Sequence, residues 1–472
     1  MQTFLKASPS KSHFSNLILI SSSICIIYLL VSLFLVLTPK FTYISSYSLN
    51  DSYAPTTIQH VVFGIASSKN SWPKRQEYVK LWWKEEEMRG CVFLEERISD
   101  RNSTIDSRLP PVCISGDISR FRYTFRNGLR SAIRVARVVS ETVLLNHSDV
   151  RWFVFGDDDT VFVPENLVKV LGKYDHELWY YIGSNSEIYE QNRIFGFEMA
   201  FGGGGFAISY PLAKVLAKVF DSCIQRYSHL YGSDSRISSC LAELGVGLTR
   251  EPGFHQIDVR GDPFGLLTSH PLSLLVSLHH FDHLDPIFPN KTKINSLQHL
   301  FKAVTVDSQR VLQKTVCYDG WFFWTIALSW GYAIEVYGNH ISLPDILPVQ
   351  TTFKQWTNQK NVLAGTYTFN VREPHPDPCQ RPVIFFLDHV SSAKDGVITS
   401  HYKKSYVNCS YGTTSPRKLD EIKVFSHKLD LSGKQLQAPR RQCCDVLPPS
   451  ADKVMEIAVR ECDEEELIHM HV

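Results

Sequence analysis

Apolar residues recur along this chain at two spacings. Residues 60–66, HVVFGIA, are a continuous apolar run closed by Ser67 and Ser68, as expected of a strand buried on both faces. Residues 91–94, residues 151–156 (RWFVFG) and residues 179–182 repeat the pattern. Between these runs the spacing changes to three and four. Tyr78, Leu81 and Trp82 fall on one face of a helix expected over 73–89, with Pro73 near its start. Phe121, Phe125, Leu129 and Ile133 predict a second helix over 120–140, with Arg122, Arg126, Arg130 and Arg134 as a solvated stripe beside them. Further helices are expected over 164–173 and from Pro211, where Leu212, Val215, Leu216 and Val219 share a side. This alternation predicts an α/β fold with a mostly parallel sheet, helices on both faces, and ligands at the carboxyl ends of the strands.

The last third changes period. Over residues 325–337, Ile326, Leu328, Trp330, Tyr332, Ile334 and Val336 alternate with smaller or polar residues, which predicts one strand with a single buried face. Proline-rich pieces near 374–382 and 439–449 separate further short strands, so residues 310–472 read as a smaller β-rich module of open role. At the other end, residues 17–37 carry no charge. About 20 helical residues cross a hydrocarbon core, whereas the apolar part of a cleaved signal peptide is only ~7–15 residues long. A single-pass signal anchor is therefore expected at 17–37. Lys6 and Lys11 place residues 1–16 in the cytosol, residues 38–57 form a stem, and the main body lies in the lumen from residue 58.

Composition narrows the partners. With 49 basic and 48 acidic residues the net charge is +1, so no basic surface for nucleic acid is expected. Of the eleven cysteines, Cys25 lies in the anchor and the other ten form an even set without zinc-type spacing. Disulfides in an oxidising compartment follow, with pairing open. Sequons at Asn50, Asn102, Asn146, Asn290 and Asn408 give mild support to a lumenal body.

The run ending in Gly156-Asp157-Asp158-Asp159 carries the sharpest chemistry. Three successive carboxylates repel one another unless a cation or solvent offsets the charge. Oxygen ligands suit Mn²⁺ or Mg²⁺, which bridge to a nucleotide diphosphate. A solvated acidic turn is an equal alternative on this motif alone. Gly202, Gly203, Gly204 and Gly205 follow between apolar residues, where a missing Cβ lets backbone approach a ligand, or simply marks a turn. Asp234 lies just before an expected helix, where its plain reading is an N-cap, and His255 reads equally as a buried structural histidine.

Taken in order, residues 152–162, 201–208, 233–241 and 253–256 resemble the fringe-related β-1,3-glycosyltransferases, glycosyltransferase family thirty-one in the broad sense. Residues 261–263 and the run Leu278-His279-His280-Phe281-Asp282 resemble the plant fringe-like group in particular. The resemblance covers about residues 58–290. It implies a GT-A, Rossmann-like nucleotide-sugar domain over 58–309, a type II Golgi anchor, a UDP-sugar donor, Mn²⁺, a glycan or glycoprotein acceptor, and inversion at the anomeric carbon. By the same resemblance Asp159 and His255 hold the metal, and Asp157 and Asp158 lie near ribose and diphosphate. Arg75, Gly203 and Gly204 border the nucleotide, and Asp234 is the base. In related enzymes the base often follows another acidic residue; here Ser233 precedes it. Two other readings compete. Asp157-x-Asp159-x-Val161 fits a haloacid-dehalogenase-like phosphatase pattern, although two expected strands precede it. A membrane-tethered glycan-binding protein that has lost catalysis is the non-enzymatic alternative.

Overall fold

The structure, a computed structural model, describes residues 20–32, 54–98, 106, 108–356 and 365–467. The chain divides into two compact units, Met1–Pro55 and Thr56–Val472. In the first, residues 20–32 are helical and their apolar side chains are exposed. No helix among the described residues is long and apolar enough to cross a membrane. The rest of the expected anchor, residues 17–19 and 33–37, lies outside them.

The second unit opens with eight strands: β1 (Val61–Ala66), β2 (Arg89–Leu94), β3 (Val112–Ile114), β4 (Trp152–Asp157), β5 (Val161–Phe162), β6 (Tyr181–Gly183), β7 (Phe206–Ser209) and β8 (Leu248–Arg250). Seven form one sheet in the order β3-β2-β1-β4-β7-β6-β8, and β5 pairs instead with Ser277–Leu278. The strands from β3 to β4 run parallel, but β7 is antiparallel to both β4 and β6. The sheet is thus mixed, where the alternation had predicted a mostly parallel one. The break comes at β7, which follows the glycine turn and carries the chain back along β4.

Alternation along each strand sorts the core. Val62, Phe93, Phe153, Phe155 and Ile208 face the helices Ser131–Leu144, Tyr210–Arg226 and Ser233–Glu243. Val61, Phe63, Trp152, Val154 and Ala207 face the other way, into a cluster that runs on through Trp324, Phe385 and Ile457. Each such side chain buried contributes ~1.5–3 kcal/mol of transfer free energy.

Two helices are shorter than their periodicity predicts. The one expected over 73–89 is Trp72–Val79, followed by turns in which Trp82 and Trp83 both pack on Phe63. The one expected over 120–140 is Ser131–Leu144. Asn127, at φ 61°, and Gly128 interrupt the pattern upstream, and Arg130 is spent on the carbonyls of Ile118, Ser119 and Phe121. Nor is the arginine stripe wholly solvated: Arg134 is buried and donates to the carbonyls of Ser67 and Phe93.

Residues 325–337 form two strands, Thr325–Ser329 and Ala333–Tyr337, rather than one. Gly331, at φ 77°, lets the chain reverse between them, and both strands are buried throughout. They belong to an eight-stranded sheet running from Lys314–Tyr318 to Cys443–Leu447. The Cys317–Cys444 disulfide joins those two edge strands, which hides the edges from other chains. All ten cysteines outside residue 25 are paired, the other bridges being Cys91–Cys113, Cys223–Cys240, Cys379–Cys409 and Cys443–Cys462.

Candidate active site

β1 and β4 pair in register with Ala66 opposite Asp157, so both strands end at one edge of the sheet. The acidic triplet turns there. Thr160 pins the turn: its Oγ1 accepts from the Asp157 N–H at 2.8 Å and donates to the Gly203 carbonyl at 2.7 Å. The glycine segment is thereby stitched to the triplet. Gly202–Gly204 is a single 3-10 turn. The Gly204 N–H donates to Gln256 Oε1 at 2.7 Å, and its carbonyl accepts from Ser277 Oγ. A Cβ on Gly203 would lie 2.1 Å from the His279 ring, and one on Gly202 would lie 2.6 Å from Asp234 Oδ1. The glycines are required because the His279 and Asp234 side chains pack on their backbone.

The three aspartates have different uses. Asp158 is buried and satisfied: Oδ2 accepts from Ser67 and Ser71 at 2.6 and 2.5 Å, and Oδ1 from Arg75 at 3.0 Å. Asp159 is 1% exposed, and neither of its carboxylate oxygens has a hydrogen bond. Its Oδ1 lies 3.1 Å from His279 Nε2 and 3.3 Å from Arg75 Nη1, both too poorly aligned to count as one. Asp157 keeps 39% of its side chain open, with Oδ2 3.9 Å from His279 Nε2. Its partial desolvation raises its pKa; His279 works against this, and the neighbouring carboxylates add to it.

His279 completes the group. Its Nδ1 lies 3.2 Å from the Gln256 carbonyl, which only accepts, so Nδ1 carries the hydrogen. In the neutral ring Nε2 then presents a lone pair to Asp157 and Asp159, an arrangement that requires a proton or a cation between them. Burial works against a proton there, but Asp159 and then Asp157 outweigh it and lift the imidazole pKa to about 9. The same contact, with Arg75, holds Asp159 well below the usual carboxylate range despite its burial. Ligand atoms of Asp157, Asp159 and His279 all lie within 4.8 Å of one another. Two carboxylates and an imidazole oriented by a backbone carbonyl fit a divalent cation.

His255 does not join them. Its Nδ1 lies 3.3 Å from Glu187 Oε1, and its ring packs on His270 in a separate, mainly apolar pocket with Leu267 and Phe369. The histidine that meets the triplet comes from the Leu278–Asp282 run. The sequence signal for it was present, as two adjacent histidines after an apolar stretch, but nothing in their spacing pointed back to β4. Ile257 separates the two environments. It is a β-branched residue at φ 54°, held by its N–H bond to Glu187 Oε2 at 2.8 Å, and it turns Gln256 and Asp258 toward the cleft. Left-handed backbone at such a residue is an outlier of the kind that gathers at functional sites.

Asp234 does reach the cleft. The helix it opens is capped by Gly232, so Asp234 lies in the first turn and is not the N-cap. It meets Asp157 and Gly202 around a space of about 20 Å³ whose other walls are mainly apolar, Val135, Val139 and Phe206 among them. Burial raises its carboxyl pKa, with the Gly202 backbone and the Ser233 hydroxyl opposing. The Cys223–Cys240 bridge ties its helix to Tyr210–Arg226. Arg75 lies between Asp158, Asp159 and Asp282, with its Nε donating to Asp282 Oδ2 at 2.7 Å. Asp258 accepts from Ser186 at 2.5 Å, and Asp262 accepts from the Phe264 N–H at 3.0 Å.

Comparison with known proteins gives three findings. Beta-1,3-glucosyltransferase of Mus musculus is 29% identical over 143 residues, which is 30% of this chain and 27% of that protein. The chain therefore spans about a quarter of the length of this relative. Among solved structures, the galactosyltransferase LgtC in complex with donor and acceptor sugar analogs matches at TM-score 0.33 and 13% identity, over 50% of this chain and 94% of that one. A mannosyltransferase of Pyrobaculum calidifontis, in complex with GDP-Man and Mn²⁺, matches at TM-score 0.26 and 12% identity, over 43% of this chain and 58% of that one. Both structural likenesses are too low to fix a fold. A family model, "Protein of unknown function, DUF604", matches residues 191–444, from the glycine turn through His279 and most of the second sheet. As that match takes in more than half of the chain, the protein belongs to this family.

Proposed function

We propose that the protein is a metal-dependent, inverting glycosyltransferase that moves a hexose or N-acetylhexosamine from a UDP-sugar to a glycan or glycoprotein hydroxyl, with β-1,3 linkage. The observation that carries this reading is Asp159, a buried carboxylate with no hydrogen bond, facing His279 Nε2 at the carboxyl end of a sheet. Asp157, Asp159 and His279 would hold Mn²⁺, which when bound offsets the charge of the departing diphosphate. Arg75 fixes Asp158 and Asp159 and leaves its exposed edge toward the nucleotide. The glycine turn allows close approach of the donor.

Asp234 is the base in this reading. An acceptor hydroxyl attacks the anomeric carbon opposite UDP, and a carboxylate placed on that side takes its proton. The environment that raises the Asp234 pKa also makes it a better proton acceptor while it is ionised. Asp234→Asn retains the side chain's shape and removes this basicity. We expect unchanged folding and Mn²⁺–UDP binding, with turnover lowered about 10²–10⁴-fold. The assay is UDP release by the full-length protein with Mn²⁺ across a panel of UDP-sugars. Near-normal turnover in the variant would remove Asp234 from the mechanism. Release of phosphate from simple phosphomonoesters, with no UDP release, would favour the phosphatase reading.

The uncharged run at 17–37 supports a Golgi type II anchor with the main body in the lumen. Protease protection in sealed Golgi vesicles tests this, and digestion of residues 56–472 from outside would overturn it.

A further inference from the structure

An uncharged groove lies beside the charged cleft. It has a volume of about 430 Å³ and is lined by Phe125, Phe195, Tyr231, Ser235, Ser238 and Ser239, among others, with no Asp, Glu, Lys or Arg. Asp234 lies between the two: it lines the cleft, while the next residue of the same helix, Ser235, lines the groove. Ser238 and Ser239 lie one turn further on, so the three hydroxyls share a helix face. Three rings line the groove with them, Tyr231 meeting Phe125 edge to face at 66° and Phe195 at 33°. Tyr231 is 5.2 Å from Phe125 and 5.8 Å from Phe195, centroid to centroid. Phe125 and Tyr231 remain 42% and 47% exposed.

The groove is built by specific contacts. Arg236 is fully buried, and its guanidinium donates to the carbonyls of Leu230, Tyr231 and Gly232, while stacking over Tyr123 at 5.0 Å. Tyr123 in turn donates to the Tyr231 carbonyl at 2.9 Å, and the Thr124 N–H to the Ser228 carbonyl at 2.9 Å. Desolvating a guanidinium is costly, and here the charge is used to fix the loop that presents Tyr231 and starts the Asp234 helix.

We propose that this groove is the acceptor site and that it takes a neutral sugar ring, whose apolar face lies on Tyr231 with Phe125 against its edge and whose hydroxyls meet Ser235, Ser238 and Ser239. A nucleotide diphosphate finds no Lys or Arg here, and an acidic acceptor meets only the His229 imidazole. Ser235 Oγ donates to Met199 Sδ at 3.6 Å and Ser238 Oγ to the Glu198 carbonyl at 3.4 Å, so both hydroxyls keep lone pairs that can accept from the hydroxyls of a sugar. Asp234 precedes Ser235 in the same helix, so the inference rests on the glycosyltransferase reading and supplies its acceptor side.

The test uses the full-length protein and two measurements. Saturation-transfer NMR with a panel of neutral methyl glycosides reads the groove, and calorimetry with UDP and Mn²⁺ reads the cleft. At least one glycoside should bind, and Phe125→Ala with Tyr231→Ala should weaken it about tenfold. Tyr231→Phe, which keeps the ring, should restore binding, and UDP affinity should be the same in all variants. If no glycoside binds, or if binding ignores the ring deletions, the acceptor assignment fails. Binding of octyl chains in place of glycosides would also overturn it, in favour of an apolar ligand. Loss of UDP–Mn²⁺ binding in the unmodified protein would instead sink the donor reading, so the two failures are distinct.

Discussion

Asp158 has each oxygen engaged by Ser67, Ser71 or Arg75, whereas Asp159 has both oxygens buried and free of hydrogen bonds. Adjacent residues of the same type are thus divided between holding the turn and standing without hydrogen bonds, and only their neighbours in space decide which does which. His279 and His255 differ in the same way. The Gln256 carbonyl orients His279 toward the carboxylates, while Glu187 and His270 keep His255 in its own pocket. Asp159→Asn and His279→Ala should each weaken Mn²⁺-dependent UDP binding by at least about tenfold, and His255→Ala should leave it unchanged. Calorimetry decides between the histidines: loss in His255→Ala with retention in His279→Ala would restore the ligand pair that the family resemblance implies. The sign of the pH dependence follows from the imidazole, whose pKa is raised to about 9. A metal must displace that proton, so affinity should rise with pH between about 6 and 9 and level off above.

At the scale of elements, the sequence showed most clearly what depends on neighbours along the chain. Continuous apolar runs marked β1, β2, β4 and β6 to within a few residues, and Pro211 marked its helix, because burial on both strand faces and proline's fixed φ are local facts. Helix ends were less legible. Every-fourth-residue spacing across Phe121–Ile133 ignored Asn127 and Gly128, which turn the chain before the helix forms. The antiparallel β7 and the hairpin at Gly331 depend on partners far away in sequence. The glycine turn was legible as a turn, but its reason was not, since His279 and Asp234 pack on it from distant segments. Gly203→Ala tests that reason. Its new Cβ would overlap the His279 ring, which has only 3% exposure and little room to yield. We expect near-native secondary structure by circular dichroism and Mn²⁺-dependent UDP affinity reduced at least about tenfold. Unchanged affinity would show that the ring moves without cost and that its position is not critical.

For the whole molecule, the question is how far residues 58–309 stand apart from residues 310–472. The composition shift near residue 310 suggests a separate module, but in space the unit Thr56–Val472 has one continuous core on this side of the first sheet. Val259–Gly261, just after the cleft residues, pairs with Phe353–Gln355. Phe264 packs on Tyr332 and Phe386, and Phe288 on Tyr332. Gly265 is so close to the Gln350 carbonyl that a Cβ there would lie 1.7 Å from it. Ser329 donates to the Thr268 carbonyl and Gln313 to that of Ser273. These contacts surround the segment 253–288 that supplies Gln256 and His279. Removing residues 310–472 would expose the side chains that pack there, at ~1.5–3 kcal/mol for each large one, against a total stability of only about 5–15 kcal/mol. A chain ending at residue 309 should therefore fail to give soluble protein, or give one that binds neither Mn²⁺ nor UDP. Size-exclusion chromatography followed by calorimetry measures both. A monomeric fragment 1–309 with native UDP affinity would show that the second sheet is dispensable for the site, and that the shared core is a contact between independent domains.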